Sequence, residues 1–182
     1  MPSGKTHDFI TWLLVPFTFI GGYLVLQDWW LAGIFTLAML FSGLMFGPDL
    51  DIESRQYYRW GYLRFIWWPY KTFFAHRSTF THGIFLGTIV RLLYLMLVIT
   101  LSLVITTTLY YWWEQNQVPQ LQPIAADLNL WLKGSKQLWR QVDRLMLSVV
   151  FVGLCWGAAT HSLADWTVTA WKRRRNRRRR RH

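Results

Sequence analysis

Residues 84–109 read IFLGTIVRLLYLMLVITLSLVITTTL, an apolar run broken by a single charge, Arg91. A helix needs about 20 predominantly apolar residues to cross a hydrocarbon layer, so this run crosses with some tilt. It decides the fold class, an all-α chain whose helices span a membrane. Two shorter apolar runs precede it, at residues 9–26 and 31–46, and a fourth follows at about 145–165. Together they predict a four-span transmembrane helical bundle. Local bilayer thinning or flanking side chains would complete the two short crossings. Pro16 predicts a kink in the first span, because proline lacks a backbone donor and crowds the preceding turn. The break at Gln27-Asp28-Trp29-Trp30 carries aromatic rings suited to the membrane interface.

Composition points the same way. The chain has 182 residues, 53% of them hydrophobic, with 13 Trp, 8 Tyr and 12 Phe. That is too apolar and aromatic for an ordinary soluble domain of this size. Cys155 is the single cysteine, which excludes an intrachain disulfide. The start of the chain lacks a cleavable-signal pattern, so the first span is expected to stay in the mature protein.

Between the spans the chain is polar and aromatic. Residues 48–81 carry Tyr57-Tyr58-Arg59-Trp60 and Phe65-Ile66-Trp67-Trp68-Pro69-Tyr70, expected at the headgroup boundary, with Arg59, Arg64 and Lys71 reaching water or lipid phosphate. Pro119 and Pro123 break the next connection. Residues 125–144 then predict an interfacial helix with Leu128, Trp131, Leu132, Leu138 and Trp139 as its apolar surface. In the fourth span Gly153, Gly157 and Ala158 offer small surfaces for close helix packing. Arg91 has two readings, snorkelling to the near interface or pointing into a polar site.

The formal charge of +11 is not spread evenly, since nine of the 20 basic residues lie within residues 172–181. This divides the chain into an integral-membrane domain, 1–171, and a basic, disordered tail, 172–182. Attraction to anionic lipid headgroups is the preferred role for the tail. Specific nucleic-acid binding is the lesser alternative. The 48–82 loop adds five Lys or Arg, while Lys133, Lys136, Arg140 and Arg144 on the other side are offset by four acids, including Asp28. The positive-inside rule therefore places the loop and both termini in the cytoplasm.

Parity gathers the chemistry on that side. His7 starts the first span, Asp49 and Asp51 follow the second, His76 and His82 precede the third, and His161 and Asp165 end the fourth. Each piece alone has a plain reading: a helix cap, a turn, an exposed loop residue. Four crossings nevertheless bring all of them to one face. His161 and Asp165 stand four residues apart, on one helical face. Asp49 and Asp51 converge if their Gly-Pro turn bends, and a turn through residues 77–81 would fold His76 back toward His82. Imidazole and carboxylate donors suit zinc, manganese or iron. Seven candidate ligands exceed one tetrahedral ion, so the expectation is one or two divalent ions, zinc first. Paired ions can activate water for hydrolysis and stabilise attacking and leaving oxygens. Asp49, Asp51 and Asp165 are then candidates to orient water, and Arg77, with Arg55 or Arg91, to offset the charge of a phosphoryl group.

The motifs Pro2-Ser3-Gly4-Lys5-Thr6-His7-Asp8, Phe46-Gly47-Pro48-Asp49-Leu50-Asp51, His76-Arg77-Ser78-Thr79-Phe80-Thr81-His82-Gly83 and Gly157-Ala158-Ala159-Thr160-His161-Ser162-Leu163-Ala164-Asp165-Trp166 carry a resemblance. Over residues 1–166 the chain closely resembles metal-binding membrane proteins found especially in cyanobacteria. It is more distantly similar to the membrane-bound metal-dependent hydrolases. The resemblance implies His7, Asp49, Asp51, His76, His82, His161 and Asp165 as the metal site. It also implies a plasma or thylakoid membrane location. The leading functional expectation is a membrane-integral, divalent-metal-dependent hydrolase of a phosphoester or lipid-like substrate. The alternative is a noncatalytic, metal-stabilised assembly or scaffold protein of a larger membrane complex. An open coordination position beside a cleft favours catalysis, and a closed one favours the scaffold.

Overall fold

The computed structural model describes residues 4–76, 78–115, 126, 129–130, 132–134 and 143–179. It is all-helical there. Helices α1 (Gly4–Leu26) and α2 (Trp29–Leu44) are followed by a 3-10 turn at Pro48–Asp51 and by α3 (Arg55–Tyr58). A second 3-10 segment, Gly61–Trp67, leads into α4 (Trp68–Phe73), then α5 (Thr79–His82), α6 (Ile84–Gln115) and α7 (Arg144–Arg179). Among the described residues, four helical segments are long and apolar enough to cross a membrane: Gly4–Leu26, Trp29–Asp51, Ile84–Glu114 and Arg144–Trp171. They correspond to the four runs read from the sequence.

Two compact units divide the chain. The first comprises residues 1–91 and 145–182, the second residues 92–144. In the second, the far part of α6 exposes Leu97, Leu101 and Ile105, while Thr100, Thr106 and Thr108 return their hydroxyls to the carbonyls of Met96, Ser102 and Val104. Such back-bonding satisfies polar atoms without water, which a bilayer interior requires. The expected interfacial helix at 125–144 lies largely outside the described residues.

In the first unit, helix α1 has its polarity reversed relative to a helix of a soluble domain. The buried positions of α1 are His7, Thr11, Thr18 and Gly22, whereas Phe9, Trp12, Leu13, Phe17 and Leu24 are exposed. Small and polar residues face the partner helices because lipid chains compete for apolar surface and only close packing or hydrogen bonding favours association. Thr18 accepts from Trp156 Nε1 at 3.2 Å, linking α1 to α7. Asp28 caps α2 by accepting from Trp30 N and Leu31 N.

The small residues of α7 fix its distance from α2. A Cβ on Gly153 would stand 2.7 Å from the Phe35 carbonyl oxygen and 2.8 Å from Ala38 Cβ; one on Gly157 would collide with the Met39 carbonyl. Gly153 and Gly157 lie four residues apart, and the same stripe continues to His161 and Asp165. Backbone contact along its glycines therefore carries the stripe's histidine to the C-terminal end of α2, where Asp49 stands.

Two boundaries differ from the sequence reading. The first helix begins at Gly4, so His7 lies inside it, one turn from its start. Helix α7 runs on to Arg179, past the boundary at 171/172 drawn from composition. Lysine and arginine are good helix formers, so basic composition alone does not end a helix.

Candidate metal centre

The Pro48–Asp51 turn brings Asp49 and Asp51 beneath the helix ends. Pro48 opens it, supplying the fixed φ and missing donor a first helical position tolerates. Gln56, buried on α3, holds it: its amide nitrogen donates to the Gly43 carbonyl at 2.8 Å and its amide oxygen accepts from Asp49 N at 3.2 Å. The Gln56 amide also presses on Gly47, where a Cβ would overlap it.

Around that turn stand two groups of side chains that could hold a metal ion, His7 with His161 and Asp165, and Asp49 with His76 and His82. Within each, one donor atom per residue lies within 4.8 Å of the others. In the first group His7 Nε2 is 3.3 Å from Asp165 Oδ1, and the His7 and His161 rings stack with centroids 3.9 Å apart. In the second, the His76 and His82 rings meet edge to face at 5.0 Å, so His76 does stand beside His82. Asp49 touches both groups. Its Oδ2 lies 3.2 Å from His161 Nε2 and its Oδ1 lies 3.6 Å from His82 Nε2.

Hydrogen bonds around the second group select which ring nitrogen is free. His76 Nδ1 donates to Asp51 Oδ1 at 2.9 Å. Thr81 Oγ1 donates to the Ser78 carbonyl at 3.3 Å, leaving it to accept from His82 Nδ1 at 3.0 Å. Each ring so held keeps its Nε2 lone pair for a ligand, the usual arrangement of metal-binding histidines. Among the described residues, His7 Nδ1, Asp49 Oδ1, Asp51 Oδ2, His82 Nε2, His161 Nε2 and Asp165 Oδ1 are buried without a hydrogen-bond partner. A buried, unpaired polar atom costs about 1–3 kcal/mol, and a divalent cation would suit the acceptors that Asp49, His82, His161 and Asp165 bring to the two groups. The residues fit the ion.

The structure thus gathers His7, Asp49, Asp51, His76, His82, His161 and Asp165 in the first unit. Arg77 lies outside the described residues. Arg55, a sequence candidate for phosphoryl charge, is committed to Asp8 instead. Arg59 binds the same carboxylate through Nη1 and Nη2 at 2.8 and 2.7 Å, so Asp8 ties α1 to α3 rather than joining the metal groups. Arg91 takes the inward of its two readings. It is fully buried, donates to the Thr81 carbonyl at 2.8 Å and to Thr88 Oγ1 at 3.1 Å, and lies over the Phe46 ring.

Tyr70, buried nearby, interacts with the same guanidinium. Burial pushes its phenol up to about 12, so it stays neutral. Gln56 was not apparent in the sequence. Its only signal was a polar residue at the start of an aromatic loop.

A cleft of about 290 Å³ opens on the centre, lined by His7, Asp49 and His161 with Gly4, Asp8, Gly43 and residues 52–56. On its rim Lys71 Nζ donates to Glu53 Oε1 at 2.8 Å, and that bond holds the Glu53 carboxyl below its ordinary range.

Residues 2–175 match the family model described as "Uncharacterized metal-binding protein (DUF2227)". The chain belongs to this family. The two groups at Asp49 are capable of coordinating a metal ion. An "Uncharacterized protein" of Aquifex aeolicus (strain VF5) is 42% identical over 62 residues, which is 34% of this chain and 43% of that protein. The match therefore spans less than half of either chain. No solved structure matches.

Proposed function

We propose that the chain is a membrane-integral, divalent-metal-dependent hydrolase acting at the cytoplasmic interface on a phosphoester or lipid-like substrate. The observation that carries this reading is the cleft lined by His7, Asp49 and His161. A purely structural site has no use for an opening onto its ligands. His7, His161 and Asp165 hold ions from one side, and Asp49, His76 and His82 from the other. When bound, a divalent ion supplies Lewis-acid polarisation of a phosphoryl or carbonyl oxygen.

The chain's own residues do the rest. Asp49, on the cleft wall, accepts a hydrogen bond from an incoming water and orients it. Asp51 keeps the His76 Nδ1 proton in place, and Asp165 stands ready to orient a second water. Arg77, beside His76 in sequence, is the proposed partner of a phosphoryl charge. Zinc is the proposed ion, with manganese and iron as alternatives, and the membrane is the plasma or thylakoid membrane. Support for the membrane setting comes from the exposed Phe9, Trp12 and Phe17 on α1 and Phe85, Leu93 and Leu97 on α6.

The test is a turnover screen of the purified full chain against phosphoester and lipid panels, with metal content measured on the same preparation. Turnover that chelation abolishes and zinc or manganese restores is expected. Metal-replete protein inert toward every panel would remove the hydrolase reading in favour of the scaffold.

A further inference from the structure

The two oxygens of Asp49 serve different partners. Oδ2 stands 3.2 Å from His161 Nε2 in one group of donors, and Oδ1 stands 3.6 Å from His82 Nε2 in the other. The first distance is within hydrogen-bond reach and the second just beyond it; His82 Nε2 and Asp49 Oδ1 are buried with no hydrogen-bond partner among the described residues. The backbone fixes the carboxylate's position, since Asp49 N donates to Gln56, whose own amide is anchored on Gly43.

We propose that Asp49 is a bridging carboxylate and that the centre binds two divalent ions as one coupled pair. The inference rests on the reading that the groups bind metal for catalysis, and it specifies how. His7, His161, Asp165 and Asp49 Oδ2 provide four protein donors to the first ion. His76, His82 and Asp49 Oδ1 provide three to the second, with Asp51 Oδ1 holding the proton of His76 Nδ1. One carboxylate spanning two ions holds them about 3.5–4 Å apart, the spacing of two-metal hydrolytic centres. Two Mn(II) ions at that spacing couple magnetically.

Manganese tests this, because an isolated Mn(II) gives a simple six-line resonance and a bridged pair does not. The full chain in detergent micelles, stripped by chelation and titrated with Mn(II), is expected to take up about two ions with an exchange-coupled spectrum. His76→Ala is expected to lower uptake to about one ion with the six-line signal, and the paired His161→Ala and Asp165→Ala change to remove the first ion and weaken the second about tenfold or more. Asp49→Asn should abolish the coupling, and Asp49→Glu, which keeps both oxygens, should retain it.

Wild-type protein that binds a single ion, or two uncoupled ions, overturns the proposal whatever the variants do. So does a coupled pair that survives Asp49→Asn. Turnover is measured separately. A coupled pair without hydrolysis leaves the bridge standing and removes the hydrolase reading, whereas hydrolysis with one ion does the reverse.

Discussion

Arg91 Nη1, buried in α6, donates to the carbonyl oxygen of Thr81 at 2.8 Å. The bond joins the long apolar helix to the short α5, whose last residue is His82. Thr81 is itself fully buried, so its carbonyl has no access to water and depends on this donor. The charge that interrupts the apolar run thus orders the turn that carries His82, a candidate metal ligand.

Replacing Arg91 with Met should therefore do two things. It strips a buried carbonyl of its donor, which costs about 2–3 kcal/mol, and it loosens His82. Thermal unfolding in detergent should show a lowered midpoint, and metal analysis should show weaker retention by the His76–His82 group. Arg91→Lys, with one point charge in place of a fork, should recover part of both. Unchanged midpoint and metal content in Arg91→Met would sink the assignment.

Gly157→Ala should disrupt the α2–α7 seam, because the added Cβ meets the Met39 carbonyl and Ser42 Cβ. Overpacking of this kind costs about 1–3 kcal/mol. Since His161 lies one turn further along α7, metal uptake should fall with stability. Gly33, where an added methyl would meet nothing within 4 Å, is the control. There Ala should be neutral or stabilising by up to about 1 kcal/mol through helix propensity. Equal behaviour of the two variants would refute the close-packing account.

Sidedness can be read with single cysteines in a Cys155→Ser background. Tyr62→Cys, at a side chain 98% exposed, should react with a membrane-impermeant thiol reagent only from the cytoplasmic side, and Lys133→Cys only from the other. Both labelled from one side would break the parity on which a cytoplasmic centre depends.

Neutralising the five arginines at 177–181 should weaken retention of anionic lipid. Each exposed basic residue near an anionic surface contributes about 1 kcal/mol, and the difference should shrink as salt screens it. Bound lipid measured by mass spectrometry at low and high salt checks this. Metal content should not change, because arginine offers no ligand; a loss of metal in a folded variant would contradict the separation of tail from centre.

Much of the architecture was legible because a bilayer imposes one rule on sequence, a long apolar run per crossing. The donors were legible because His7, Asp49, Asp51, His76, His82, His161 and Asp165 sit at or near the ends of those runs. Their grouping was not. Nothing in the spacing says that Asp165 pairs with His7 and Asp51 with His76, or that Gln56 and not a charged residue holds the Asp49 turn. Arg91 was ambiguous for the same reason. A guanidinium can snorkel or turn inward, and its fate depends on a carbonyl ten residues away in the chain.

By itself, then, the sequence determined how many helices are apolar and long enough to cross and which side chains stand near their ends, since hydropathy and parity are properties of chain order. The tertiary structure decided the partners. Those depend on how closely Gly153 and Gly157 let α7 approach α2, on the bend at Pro48, and on which nitrogen of each imidazole a neighbour holds. These are distances of a few ångströms, set by steric contact and hydrogen-bond direction between residues far apart in sequence.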